Sequence, residues 1–379
     1  MLLEAGPRLG GRAWTQQISG LDLDLGCEWF HSADRNAWVG IAEAAGVVID
    51  RTGAKWGVQH RDLGFSKAEQ VVARNDFGMW MQRLENLRAS DCAADALTPG
   101  CEWNDYIRTI VGFISGGSLE RLSVADYLAY DEASSESNWR TPSGLGALIA
   151  GSVPAPTTRH LSTAAESIVL DAHGVAVTTP AGTLRARSAI LTVSSAVLAG
   201  DTMKLPSGLD AWRHAASLLP LGRNEKLFFE IHGDSPFEPE SQVLGNPRDA
   251  RTGSYYIRPL GAAVIECFFG AEGARQLEDG GEAAAFEYAT DQLCALFGAG
   301  VRAVLRPLAA SHWSADPRIG GAYSYALPGH AAARATLARP CEDRLFFAGE
   351  ATSTGDFSTA HGAHDSGVRA ADEAIAALT

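Results

Sequence analysis

No two cysteines of this chain stand in a CxxC pair. The six (Cys27, Cys92, Cys101, Cys267, Cys294 and Cys341) also lack the histidine spacing of a zinc site. Reduced thiols in a cytoplasmic protein are therefore expected. No apolar run approaches the roughly 18 residues of a membrane-spanning helix. The N-terminus lacks the charged-then-apolar order of a secretory signal. Positive charge is scarce, with 31 Lys and Arg against 45 Asp and Glu, a net charge of −14. The bases do not cluster, which excludes a nucleic-acid surface, and the acidic field favours a cationic small molecule. No internal repeat, low-complexity linker, serine triad or metal cluster is present. Asp24, Glu28 and Asp34 are close in sequence, but alternation puts the first two on a strand and a loop rather than in a ligand set.

A glycine turn is missing as well. Met1-Leu2-Leu3-Glu4 reads as the end of a short buried strand closing on an acid, followed at once by Gly6-Pro7-Arg8-Leu9-Gly10-Gly11-Arg12. An acid at the tip of the second strand of a βαβ unit holds the ribose hydroxyls of an adenosine. The glycine fingerprint of such a unit belongs roughly 20 residues earlier, where this chain has nothing. The unit is thus expected to be incomplete. The strands at Leu2 and near Ile190 should lack a neighbour and expose apolar edges.

What is there is the composition of a globular protein, 46% apolar and 20% charged, long enough for two domains. Leu21–Leu25 alternates like a half-buried strand, and Asn36–Gly46 reads as a short helix. Helical periodicity marks Ser66–Arg88 and Ser123–Tyr130 in a Trp-rich stretch. Strands are expected at Ser167–Asp171, Val175–Thr179 and Ala189–Val193, with hairpin chemistry between them. Further strands are expected at Lys226–Ile231, Ser254–Ile257 and Ala263–Phe269, a helix at Glu282–Phe297, and a closing strand, turn and helix from Arg344 onward. The fold class expected is α/β: an N-terminally truncated Rossmann-like nucleotide-binding domain (1–51, 143–205 and 323–379) interleaved with an α+β substrate domain (52–142 and 206–322).

Glu4-Ala5 with Arg8, Gly10, Gly11 and Arg12 resembles the start of the flavin-containing amine oxidases, which include monoamine oxidases, polyamine oxidases and flavin histone demethylases. The closing segment resembles them more sharply, in Leu345-Phe346-Phe347-Ala348-Gly349-Glu350-Ala351, Thr359-Ala360-His361-Gly362-Ala363 and Ser366-Gly367. The resemblance implies non-covalent FAD, because Ala322 stands where monoamine oxidases carry the cysteine that bonds to the flavin. It places Glu4, Gly10, Gly11, Arg12, Trp29, Ala165, Gly349, Glu350, Thr359 and Ala360 against the cofactor. A helix opening near Ala360 would set its positive end against the negative edge of a reduced flavin. On the substrate side it implies Lys226, with a pKa lowered by burial and holding a water at the flavin N5. It also implies Trp313, Tyr323 beside the flavin face, Thr359 in place of a second aromatic, and His31 touching the amine.

The reaction implied is oxidation of a C–N bond. A hydride passes from the α-carbon of a neutral amine to the flavin, water hydrolyses the imine, and O2 leaves as hydrogen peroxide. The half-open cage and the acidic charge point to a polyamine or secondary amine. An amino-acid oxidase, with Arg258 for the substrate carboxylate, or a flavin desaturase is the alternative within enzymes. Two others follow from the missing turn: an inactive relative, or a binding module that completes its sheet with another chain. Oligomeric state is not legible.

Overall fold

The computed structural model describes all 379 residues and is mixed α/β. Its largest sheet has five antiparallel strands in the order Ser241–Leu244, Ser254–Ile257, Val264–Gly270, Asn224–Ile231 and Leu305–Ala310. Side chains alternate across such a sheet, and here both faces are used. Leu227, Phe229, Tyr255, Ile265, Cys267 and Phe269 point one way and make the main core with Phe286, Ala289 and Leu293 of the helix Glu282–Phe297. Lys226, Phe228, Tyr256, Glu266 and Phe268 occupy the cross-strand positions of the other face. That second face carries the site.

Three helices, Lys67–Asn86, Asn104–Ser115 and Val124–Ala133, form a separate cluster around Trp80, Leu84, Ile107, Val111 and Tyr127. Ser66 caps the first through a capping box with Glu69.

The parallel strands stand in two separate pairs: Leu2–Leu3 with Arg159–His160, and Ala189–Leu191 with Leu345–Phe347. The strands at Leu2 and Ile190 each find one neighbour. An apolar edge does show beside the second, where Ile190 and Val193 are each 39% exposed. The three-stranded antiparallel sheet differs from its sequence reading. Ser167–Asp171 and Gly174–Thr179 pair as expected, but the third strand is Gly182–Ala186, not the run at Ala189. Thr183-Leu184-Arg185-Ala186 is almost wholly exposed and gives little hydrophobic signal. The more apolar Ala189–Leu191 is claimed by the closing strand. The strands 241–244 and 305–310 and the helices 104–115, 210–217 and 272–280 were not anticipated.

No helix is long and apolar enough to cross a membrane.

Candidate active site

Lys226 is the centre. Its ammonium donates to Glu28 Oε2 at 2.9 Å and to the backbone oxygen of Asp24 at 3.1 Å, and lies 2.7 Å from Glu266 Oε1. The three side chains are each only 9–13% exposed. Glu28 comes from the loop after the hairpin Thr15–Ile18/Leu21–Asp24, and Glu266 from the strand paired with that of Lys226. The expected lowering of the Lys226 pKa is reversed. Burial pushes the ammonium down, but Glu266 and Glu28 outweigh it and hold it above the ordinary lysine value. Both carboxyls thus meet at one ammonium, two acids to one base away from water. Burial, then the charge of Glu28, pushes Glu266 up to about 8. Burial would raise Glu28 too, but the charge of Lys226 beside it brings it below its usual value.

Asp24 fixes the loop from beneath. Its carboxylate accepts from Thr15 Oγ1 (2.5 Å) and from the backbone N–H groups of Leu145 (2.8 Å) and Gly146 (3.1 Å), which open the helix Leu145–Gly151. A Cβ on Gly146 would sit 2.5 Å from the backbone of Trp14 and Thr15, so only glycine allows this approach. Burial raises Asp24 to about 6.

Trp313 is a wall residue: its indole N–H donates to the Leu25 carbonyl at 3.0 Å and its ring meets Trp14 edge-on at 6.2 Å. Glu225 holds the turn before it, accepting from the Trp313 amide at 2.9 Å and from the Ser311 hydroxyl. Burial, first among its causes, raises Glu225 to about 7. A carboxyl raised on folding stabilises below its unfolded pKa, and that contribution is lost as pH rises to the folded value. Between about pH 4.5 and 7 the native chain should therefore lose stability relative to Glu225→Gln, by up to about 1.4 kcal/mol per pH unit. Urea titrations of both proteins across this range test it; parallel curves would refute it.

On the far side of Glu28, Trp29 stacks on Tyr256 at 6.3 Å and meets Trp56 edge-on at 5.0 Å, while His31 lies 5.6 Å from Trp56. His31 Nδ1 is 2.8 Å from Asn138 Oδ1, and the Asn138 amide nitrogen donates to Glu136 O, which fixes the amide orientation. Nδ1 is thus the donor, and Nε2 keeps a free lone pair. Burial lowers the His31 pKa, so the ring is neutral at neutral pH. Arg140 lies over both Trp29 and Tyr256 and is occupied by Asp50, Glu240 and the Tyr256 hydroxyl.

The closing segment folds against the N-terminal loop. Arg12 Nη1 donates to Ala322 O (2.5 Å) and Glu350 Oε1 (2.8 Å). Glu350 also accepts from Ser324 N, Ser324 Oγ and Ser358 N, so the chain itself fills the carboxylate. Glu350 thereby ties the N-terminal loop to the closing segment. Thr359 is the N-cap of the helix Ala360–Leu378: its hydroxyl donates to Asp356 O at 2.6 Å and accepts from Gly362 N at 3.0 Å. Tyr323, the residue before Ser324, donates its hydroxyl to Phe113 O. The bond from Ser358 Oγ to Ser324 O (2.9 Å) brings the Tyr323 and Thr359 segments together. Ala165 packs elsewhere, on the core under the strand Ala189–Leu191.

Several features fit a bound flavin nucleotide. The first two amides of the terminal helix, Ala360 and His361, have no acceptor in the chain. The buried Ser195 hydroxyl, close to Arg12 and Gly349, has no partner. A Cβ on Gly11 would meet nothing within 4 Å, and on Gly349 only Thr192 O at 3.9 Å, so both backbones face open space. Glu4 uses one oxygen on the Gly6 amide.

The sequence of the family described as "Flavin containing amine oxidoreductase" matches residues 1–47 and 76–375. The chain belongs to that family. As a flavin amine oxidoreductase it is an enzyme acting on amines, and the family implies a flavin cofactor. It is 25% identical to "Polyamine oxidase 2" of Arabidopsis thaliana over 98% of this chain and 82% of that protein. It is 27% identical to "Polyamine oxidase 3" of Oryza sativa subsp. japonica, over 98% and 83%.

Sequence reading passed over several of the residues gathered here, Glu266, Tyr256 and Arg140 among them. Glu266 left a signal, a lone acid in the apolar run Val264-Ile265-Glu266-Cys267-Phe268-Phe269. Tyr256 and Arg140 left none, because their roles arise only where distant segments meet.

Proposed function

We infer that this chain is an oxidase of polyamines or secondary amines that uses non-covalent FAD. The observation that carries the reading is the charge of the wall around Lys226: two carboxyl groups to one lysine, in a site that receives amines. An amino-acid oxidase needs an arginine free to pair with the substrate carboxylate. The arginine at this site, Arg140, is taken by Asp50 and Glu240, and Arg258 lies in a turn beyond the end of its strand, at φ 48°.

In a Rossmann-like arrangement Glu4 would hold the adenosine ribose, and the loop Gly10-Gly11-Arg12 the diphosphate. Arg12 keeps Nε and Nη2 free for that purpose. The free amides of Ala360 and His361 would face the negative edge of the flavin, with Gly349 and Trp29 beside it. FAD bound there supplies the two-electron oxidation of the C–N bond and the transfer of those electrons to O2, giving H2O2. The chain's own residues orient the amine. His31 offers Nε2 as an acceptor for an N–H of the substrate, and Tyr323, its hydroxyl anchored on Phe113 O, presents a fixed ring. The aromatic group Trp29, Trp56 and Tyr256 shields the methylene chain from water.

The test is the visible spectrum of the purified chain with and without added FAD, followed by spermidine. Flavin bands that remain through gel filtration and bleach anaerobically with spermidine are the expected result. A chain that stays colourless with excess FAD refutes the reading.

A further inference from the structure

Two buried carboxyls, Glu28 and Glu266, each contact the single Lys226 ammonium, at 2.9 and 2.7 Å, and leave a definite vacancy of charge. With both ionised the group carries −1; with one proton between them it is neutral. Burial favours the neutral state, since an uncompensated charge away from water is strongly unfavourable. The group therefore accommodates one more positive charge than Lys226 supplies, and in the free protein a proton fills that place. Every other charged or titratable group facing it is accounted for. Asp24 is bound by Thr15 and two amides, and Arg140 by Asp50 and Glu240. Cys27 is a thiol that burial pushes up to about 12, and burial keeps the Tyr256 phenol un-ionised and His31 neutral. Cys267 points to the opposite face of the sheet. None of these supplies a further mobile cation.

We propose that Glu266 and Glu28 form the ammonium subsite of the enzyme, exchanging the proton they share for the cationic nitrogen of the substrate. The exchange balances: one R2NH2+ enters, one H+ leaves to solvent from the Glu28–Glu266 pair, and the buried group stays neutral. The seated ammonium then has a carboxylate in contact. Transfer of its proton back to that carboxylate breaks N–H, forms O–H, and leaves the neutral amine that oxidation requires. Lys226 holds the two carboxyls together throughout and is a positioning residue. The inference rests on the amine-oxidase reading of the same site and adds its proton stoichiometry.

The experiment is titration calorimetry of the flavoprotein with spermidine, with the flavin chemically reduced so that no turnover occurs. Buffers of different ionisation enthalpy give the protons released. The native protein should release about one proton per spermidine at pH 7. Its affinity should rise up to about tenfold per pH unit towards pH 8 and then level off, as a one-proton linkage requires. Glu266→Gln keeps the size but holds no exchangeable proton: release should fall to zero, affinity should drop at least tenfold, and the pH dependence should vanish. Glu28→Gln should behave alike, and Glu266→Asp should restore the release. Native protein that releases no proton, or a Glu266→Gln protein that still releases one, overturns the subsite. That second result, in an enzyme that oxidises amines, would leave the oxidase reading intact. A flavoprotein that oxidises no amine would instead void the reading itself.

Discussion

Arg334→Leu should lower the stability of the fold by about 3–5 kcal/mol, the usual consequence of removing one partner from a buried ion pair. The pair is Arg334 with Asp126, joined by two hydrogen bonds of 2.6 and 2.8 Å, with side chains only 1% and 2% exposed. Arg334 also donates to Ser324 Oγ and Ser324 O, and its guanidinium stacks on Phe357 at 3.5 Å. Asp126 receives the Ala326 amide as well. Without arginine the aspartate keeps a charge that water cannot reach. The double variant Arg334→Leu/Asp126→Leu should regain a large part of the loss, because no buried charge is then left alone. Urea unfolding of the native chain, both single variants and the double variant measures this. A single variant within about 1 kcal/mol of the native chain would show that water reaches the pair.

The second large effect falls on Lys226. Lys226→Met leaves Glu28 and Glu266 facing each other with no cation, and should destabilise by a similar 3–5 kcal/mol at pH 9. The sign of the pH dependence follows from the carboxyls. Loss of the lysine removes the group that favours their ionised forms, so both folded-state pKa values rise above their unfolded values. Their contribution is then favourable at low pH and is lost as pH rises through the new values. The gap between Lys226→Met and the native chain should therefore be small near pH 5 and wide near pH 9. Denaturation at both pH values decides it, and a gap that does not change with pH would show that the carboxyls have found another counter-ion.

How much of this was legible beforehand depended on the range of the interaction involved. Local signals carried well. The periodicity of Ser66–Arg88 announced a helix, and the alternation of Leu21–Leu25 and the apolar run after Lys226 announced strands. Lys226, Tyr323 and Thr359 could be singled out because each sits in a motif of contiguous residues. The direction of the Lys226 pKa was missed because it is set by Glu28 and Glu266, 198 residues before and 40 after it in the chain. Burial was foreseeable from the strand, whereas the counter-ions were not. The partners of Glu350 lay out of reach for the same reason. Its motif was visible, but its partners Arg12, Ser324 and Ser358 approach only in the fold. Gly182–Ala186 was missed for the opposite reason: an exposed edge strand gives no apolar alternation to read.

The bond from Arg12 to Glu350 spans 338 positions, that from Trp38 to Ala360 spans 322, and that from Arg35 to Asp356 spans 321. Contacts of such range are the slowest to form, since a very long loop must close before they give anything back. On the ribosome the consequence is a fixed order of events. The helices of residues 67–133 and the five-stranded sheet can assemble while the chain is still growing, but Arg12, Arg35 and Trp38 must wait for these partners. Their partners are among the last to be synthesised, so the nascent chain carries an unfinished N-terminal loop through almost the whole of translation. A chaperone that shields short apolar segments should find Trp38 within reach for all of that time.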